Sequence, residues 1–150
     1  MDHFNVQILR RDLRPKELEE VHKGFDQHAL DRGVLIQGAD RFGFVAMAEE
    51  KFIGCSSGLA YKNGNQYNGW FYLTDLYVSP EYRAAGIGWK LLSALENQLN
   101  QLGIQYIWTW TTAYGGLPFY LKHGYETFVT FENWYSDGSG KCGLKKQLTL

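Results

Sequence analysis

"VSPEYRAAGIGWKLL" (Val78–Leu92) hands a β-like run over to an apolar helix-like one through alanines and glycines, with Arg83 at the join. A helix N-terminus exposes unpaired N–H groups and a partial positive charge, and small residues there let an anion approach the backbone itself. Ala84, Ala85, Gly86 and Gly88 therefore have the pattern of a phosphate cradle with Arg83 at its lip. A tight β-to-α connection in which glycine only permits the turn accounts for the same residues. A Walker loop needs Lys-Ser/Thr after its last glycine, but Trp89-Lys90 follows Gly88, and the tail "GSGKCG" has Tyr135 and Cys142 at the diagnostic places. A dinucleotide fingerprint would need glycine where Leu91 stands.

Outward from this join the pattern has different periods on its two sides. Downstream, Ile87, Leu91, Leu92, Leu95, Leu99 and Leu102 recur at helical spacing until Gly103. Upstream, "RFGFVAMAEE", "KFIGCSSGLAYK" and "WFYLTDLYV" read as three antiparallel strands, the last two joined by the hairpin connection "NGNQYNG". "FNVQILR" (Phe4–Arg10) alternates as an opening strand, and Pro15 starts a helix that Gly24 threatens to divide and Gly33 follows. "IQYIWTWTT" is a strand, "GLPFYLKHG" a short helix, and "YETFVTFENWY" with "KCGLKKQLTL" a final strand pair. The predicted order is β α β β β α β α β β in one α/β domain.

The 150 residues suffice for one hydrophobic core. A net charge of −1 with interspersed signs opposes a nucleic-acid footprint. Cys55 and Cys142 fit no disulfide framework or metal spacing, and His3, His22, His28 and His123 form no metal pair, so reduced thiols and no metal are expected. The charged N-terminus lacks a signal-peptide core and no long apolar run suggests a membrane span, which together point to the cytoplasm. Aromatic residues make up 16%, more than a small core needs, so part of them is expected to line a pocket.

"LTDLYVSPEYRAAGIGWKLL" resembles motif A of the GNAT acetyltransferase superfamily, whose signature Q/R-x-x-G-x-G/A falls here on Arg83-Ala84-Ala85-Gly86-Ile87-Gly88. "FYLKHGY" (Phe119–Tyr125) resembles the family's motif B, and the element order is the family's order. The resemblance covers nearly the whole chain. It implies a single N-acetyltransferase domain over residues 1–150, of α/β (α+β) class, with a mixed, mostly antiparallel sheet flanked by helices. Many relatives carry N-x-x-A before the Phe-Tyr pair, whereas Ala113 and Gly116 stand there in this chain, so that a side-chain contact to the pantetheine arm or to the following helix is either missing or supplied by Thr111 or Thr112.

The resemblance implies acetyl transfer from acetyl-CoA to a primary amine by direct attack, without a metal. The pyrophosphate is then expected on the backbone amides of Arg83, Ala84, Ala85, Gly86, Ile87 and Gly88, and the pantetheine along the strand edge at Leu76, Tyr77 and Val78. A bulge in that strand would free an amide, with Leu76 the foremost donor, to polarise the thioester carbonyl. An alkylamine with a pKa of about 10.4 must lose a proton before attack. Asp75 is the nearest acid to hold or deprotonate it, although regular alternation sends Asp75 and Leu76 to opposite faces, and Glu132 is the other candidate.

Tyr120 is by resemblance the general acid for the departing thiolate. Transfer from an ordinary phenol to that thiolate runs uphill by about 2 kcal/mol unless Lys122 or His123 lowers the phenol. Asp75 and the aromatic surplus suggest a polyamine-like or lysine-like acceptor. A non-catalytic acyl-CoA-binding module and an aminoglycoside acetyltransferase are the alternatives, and a homodimer is compatible with the resemblance.

Overall fold

The computed structural model describes residues 4–148. They fall into two compact units, the first ending at Ile36 and the second starting at Gln37.

In the first unit helix α1 spans Pro15–Asp31, with proline at its start, where a fixed φ fits and no N–H is missed. The Glu17 carboxylate turns back to accept from the Arg14 amide at 2.8 Å and takes both guanidinium nitrogens of Arg11 at 2.8 Å. This satisfies one of the amides a helix start leaves unpaired. Gly24 does not divide the helix, and the chain leaves through Gly33 at φ 76°. The expected strand at Phe4–Arg10 does not form. Alternation decides which side chains share a face, but a strand also needs a partner edge to complete its hydrogen bonds, and none takes this segment.

The second unit is a six-stranded sheet in the order β1-β2-β3-β4-β6-β5, with β1 Gln37–Ala48, β2 Lys51–Asn63, β3 Gln66–Val78, β4 Tyr106–Thr112, β5 Glu126–Phe131 and β6 Lys141–Gln147. Every adjacent pair is antiparallel except β3 and β4, which are parallel and joined through helix α2, Ile87–Gln101. Helix α3 is the short Leu117–Lys122 segment.

Leu92, Leu95 and Leu99 of α2 pack with Phe71 and Leu73 of β3, Ile107 of β4, Leu144 of β6 and Tyr120 of α3 in one core. Alternation then turns Trp70, Tyr72, Trp108 and Trp110 to the other face, where Tyr72 stacks on Trp108 at 4.1 Å and Trp108 meets Trp110 edge-on. The aromatic surplus is thus mostly a ribbon on the outward sheet face. No helix among the described residues is long and apolar enough to cross a membrane.

Two irregularities interrupt β3. Ser57 of β2 opposes Asp75 while Gly58 opposes Leu73, so Thr74 is the extra residue of a β-bulge. Also, β3 pairs with β4 only at Trp70, Phe71 and Tyr72, although β3 runs on to Val78 and β4 to Thr112. The two strands separate beyond that point, and the edge of β3 from Leu73 onward loses its neighbour.

Candidate active site

The separation of β3 from β4 begins at Thr109, whose hydroxyl donates to the Leu73 carbonyl at 2.8 Å and substitutes for the ladder bond that the parting strands give up. Beyond it a cavity of about 670 Å³ opens. Its walls include Leu76, Tyr77 and Val78 from the free edge of β3 and Arg83, Ala84, Gly86, Ile87 and Gly88 from the following turn and the start of α2. Ala85 is absent from the lining. Tyr82, Trp89, Gly116, Phe119, Lys122 and His123 complete it, with Trp89 and His123 stacked at 4.2 Å and 4°.

The turn into α2 is built for an exposed backbone. Pro80–Tyr82 forms a single 3-10 turn, and Arg83 Nε then donates to the Val78 carbonyl at 2.8 Å, fastening the turn to the end of β3. Ala84 at φ 65° and Gly86 at φ 79° are both left-handed, and Gly86 caps α2. A side-chain carbon at Gly86 would meet nothing within 4 Å, so this glycine serves the backbone conformation and leaves the space before the helix start clear. Gly88 differs, since a carbon there would make ordinary contact with Phe119 at 3.7 Å and Val78 at 3.9 Å.

The bulge at Thr74 lies before both Asp75 and Leu76, so the two remain on opposite faces. Leu76 packs against the core, and Asp75 stands exposed on the outward face. There its carboxylate accepts from the Thr74 hydroxyl at 2.8 Å and pairs with Arg41 of β1 at 3.1 Å. Asp75 lines a second groove of about 550 Å³ with Arg41, Cys55 and Ser57. Tyr77 belongs to the walls of both cavities, which places the two side by side at the end of β3. Glu132 belongs to neither lining.

Tyr120 is not on the cavity wall. It is 6% exposed in the core and packs edge-on to Tyr125 at 5.2 Å. Burial pushes its phenol up to about 12, and a hydrogen bond with Thr109 pulls the other way. Neither Lys122 nor His123, the cations that could have lowered the phenol, does so, because desolvation governs it. The hydroxyl thus lies beside Thr109, where β3 and β4 part. Gly116, in the place where many relatives carry alanine, caps α3, and a side-chain carbon there would run into the Thr111 hydroxyl. Thr111 therefore fills the volume that the departure from the pattern leaves.

Helix α3 is held from behind by a polar cluster. Lys146 Nζ donates to Glu96 Oε1 and to the His123 carbonyl, each at 2.9 Å, and the Tyr125 hydroxyl donates to Glu96 Oε2 at 2.7 Å. Thr109, Arg41, Glu96 and Lys146 carry no motif, and sequence reasoning missed them. Only Thr109 had a visible signal, a polar residue at an inward position of β4 between Ile107 and the later turn. No group of three or more His, Cys, Asp or Glu among the described residues is placed to hold a metal ion.

An acetyltransferase from Bacillus cereus ATCC 14579 has the same fold, with a TM-score of 0.75 at 21% identity over 93% of this chain and 97% of its own. The ribosomal-protein-S18-alanine N-acetyltransferase from Escherichia coli gives 0.62 at 16% identity, covering 93% of each chain. An aminoglycoside 6'-N-acetyltransferase complexed with coenzyme A gives 0.62 at 16% identity over 91% of this chain and 82% of its own. No curated protein sequence matches. The family model of the acetyltransferase (GNAT) domain matches residues 39–127, more than half of the chain. The chain belongs to the GNAT family of acetyltransferases, and it is an acyltransferase enzyme.

Proposed function

We propose that this enzyme transfers an acetyl group from acetyl-CoA to a primary amine of polyamine-like or lysine-like type by direct attack. The observation that carries this is the coincidence of the parted β3–β4 edge, the left-handed turn at Gly86 and the cavity that joins them. Acetyl-CoA supplies the thioester-activated acetyl group.

The amides from Ala84 to Gly88 take the pyrophosphate, since a helix start leaves its N–H groups unpaired and the helix dipole favours an anion there, whereas the Arg83 amide is already given to the Pro80 carbonyl at 3.3 Å. The free edge at Leu76, Tyr77 and Val78 pairs with the pantetheine amides as an added strand would. The Leu76 amide donates to the negative charge that develops on the carbonyl oxygen.

Asp75 holds the incoming ammonium and takes its proton, directly or through water. This reading is supported by the second groove, which Asp75 lines and which shares Tyr77 with the first cavity. Tyr120 gives a proton, or a strong hydrogen bond, to the departing sulfur. Thiol release from acetyl-CoA across a panel of polyamines, amino acids, lysine peptides and aminoglycosides tests the proposal. Release with at least one amine is expected, and no release with any of them refutes it.

A further inference from the structure

The groove beside Tyr77 holds a preformed pair of opposite charges. Arg41 comes from β1 and Asp75 from β3, diagonal to one another across the middle strand, where Arg41 opposes Leu59 and Asp75 opposes Ser57. The pair meets through one contact, Nη2 to Oδ2 at 3.1 Å, and both side chains are more than half exposed, at 55% and 57%. Such a wetted pair opens at little cost, and each partner still has unused hydrogen-bonding atoms. Val45 and Phe52 give the same groove an apolar wall. An acceptor that puts an ammonium on Asp75 therefore also meets a guanidinium. A second ammonium would be repelled there, whereas a carboxylate would find the planar fork that recognises it best.

We propose that Arg41 selects the acceptor, and that the amine acetylated here carries a carboxylate at the far end of a short apolar stem, as an amino acid or a peptide end does. The carboxylate takes Arg41 while the ammonium takes Asp75, so the substrate replaces each half of the ion pair with its own opposite charge. This rests on the acetyl-transfer function proposed above and chooses the lysine-like class over the polyamine-like one.

Three acceptors of equal length separate the cases: ε-aminocaproate, hexamethylenediamine and n-hexylamine, each assayed with acetyl-CoA by thiol release. The wild-type enzyme is expected to favour ε-aminocaproate in kcat/KM by about tenfold or more over the other two. Arg41→Gln should bring that ratio to within about threefold through the KM of the carboxylate acceptor, with the KM for acetyl-CoA unchanged, and Arg41→Lys should restore part of it. A wild-type enzyme that prefers the diamine, or an Arg41→Gln enzyme with the ratio unaltered, overturns the role of Arg41 and leaves acetyl transfer standing. Turnover of no amine in this set or in the broader panel overturns both.

Discussion

Replacing Tyr120 with phenylalanine removes one buried hydroxyl and keeps the ring that packs against Tyr125. The phenol is pushed up to about 12 by burial, while a free thiol titrates near 8.5, so complete transfer of its proton to the thiolate runs uphill by about 5 kcal/mol. That exceeds the ~2 kcal/mol for an unperturbed phenol. In the proposed reaction Tyr120 then acts chiefly as a donor whose hydrogen bond strengthens as charge collects on sulfur. Tyr120→Phe should lower kcat by about 10²-fold, at the lower end of the range for general acids, and change the KM for acetyl-CoA little. Stability should fall by only about 1 kcal/mol, because Thr109 keeps its bond to the Leu73 carbonyl. A raised phenol stays protonated across the neutral range, so no loss of activity between about pH 6 and pH 10 should trace to Tyr120. Single-turnover thiol release, which isolates the chemical step, is the assay. A loss below about tenfold in that step would mean that water protonates the thiolate, and the role given to Tyr120 would be wrong.

The two glycines of the turn should behave differently. Gly86→Ala places a β-carbon at φ 79° and should cost about 1–2 kcal/mol in denaturant unfolding while weakening acetyl-CoA in calorimetry, whereas Gly88→Ala, whose new carbon makes only ordinary contacts, should leave both nearly unchanged. Equal effects at the two positions would remove the cradle. Asp75→Asn should raise the KM for the amine far more than that for acetyl-CoA, and a uniform fall in kcat with both KM values intact would take the amine away from Asp75. Lys146→Met breaks a pair whose side chains are 22% and 12% exposed and frees the His123 carbonyl, so it should destabilise by about 1–3 kcal/mol in chemical unfolding.

The motif around Gly86 was legible because its chemistry is local. Small residues between a β period and a helical period specify a strand, a turn and a helix start without help from the rest of the chain, and the structure forms all three there. The stretch Phe4–Arg10 was misread because its alternation is equally local, while a strand is a relation between two segments. Arg41 and Lys146 were illegible for the same reason, since each acts across a sheet or between elements distant in sequence.

The bulge shows the limit most sharply. Its existence was expected, but its position before Asp75 comes from the pairing of Ser57 with Asp75 and of Gly58 with Leu73. That one-residue offset keeps Leu76 with the core and leaves Asp75 outward beside Arg41, so that Leu76 and Asp75 line two different cavities with Tyr77 on the walls of both. Had the extra residue fallen one place later, the carboxylate would have faced the core and Arg41 would have had no partner. On the proposed reading, the choice of acceptor is thus set by strand register as much as by residue type.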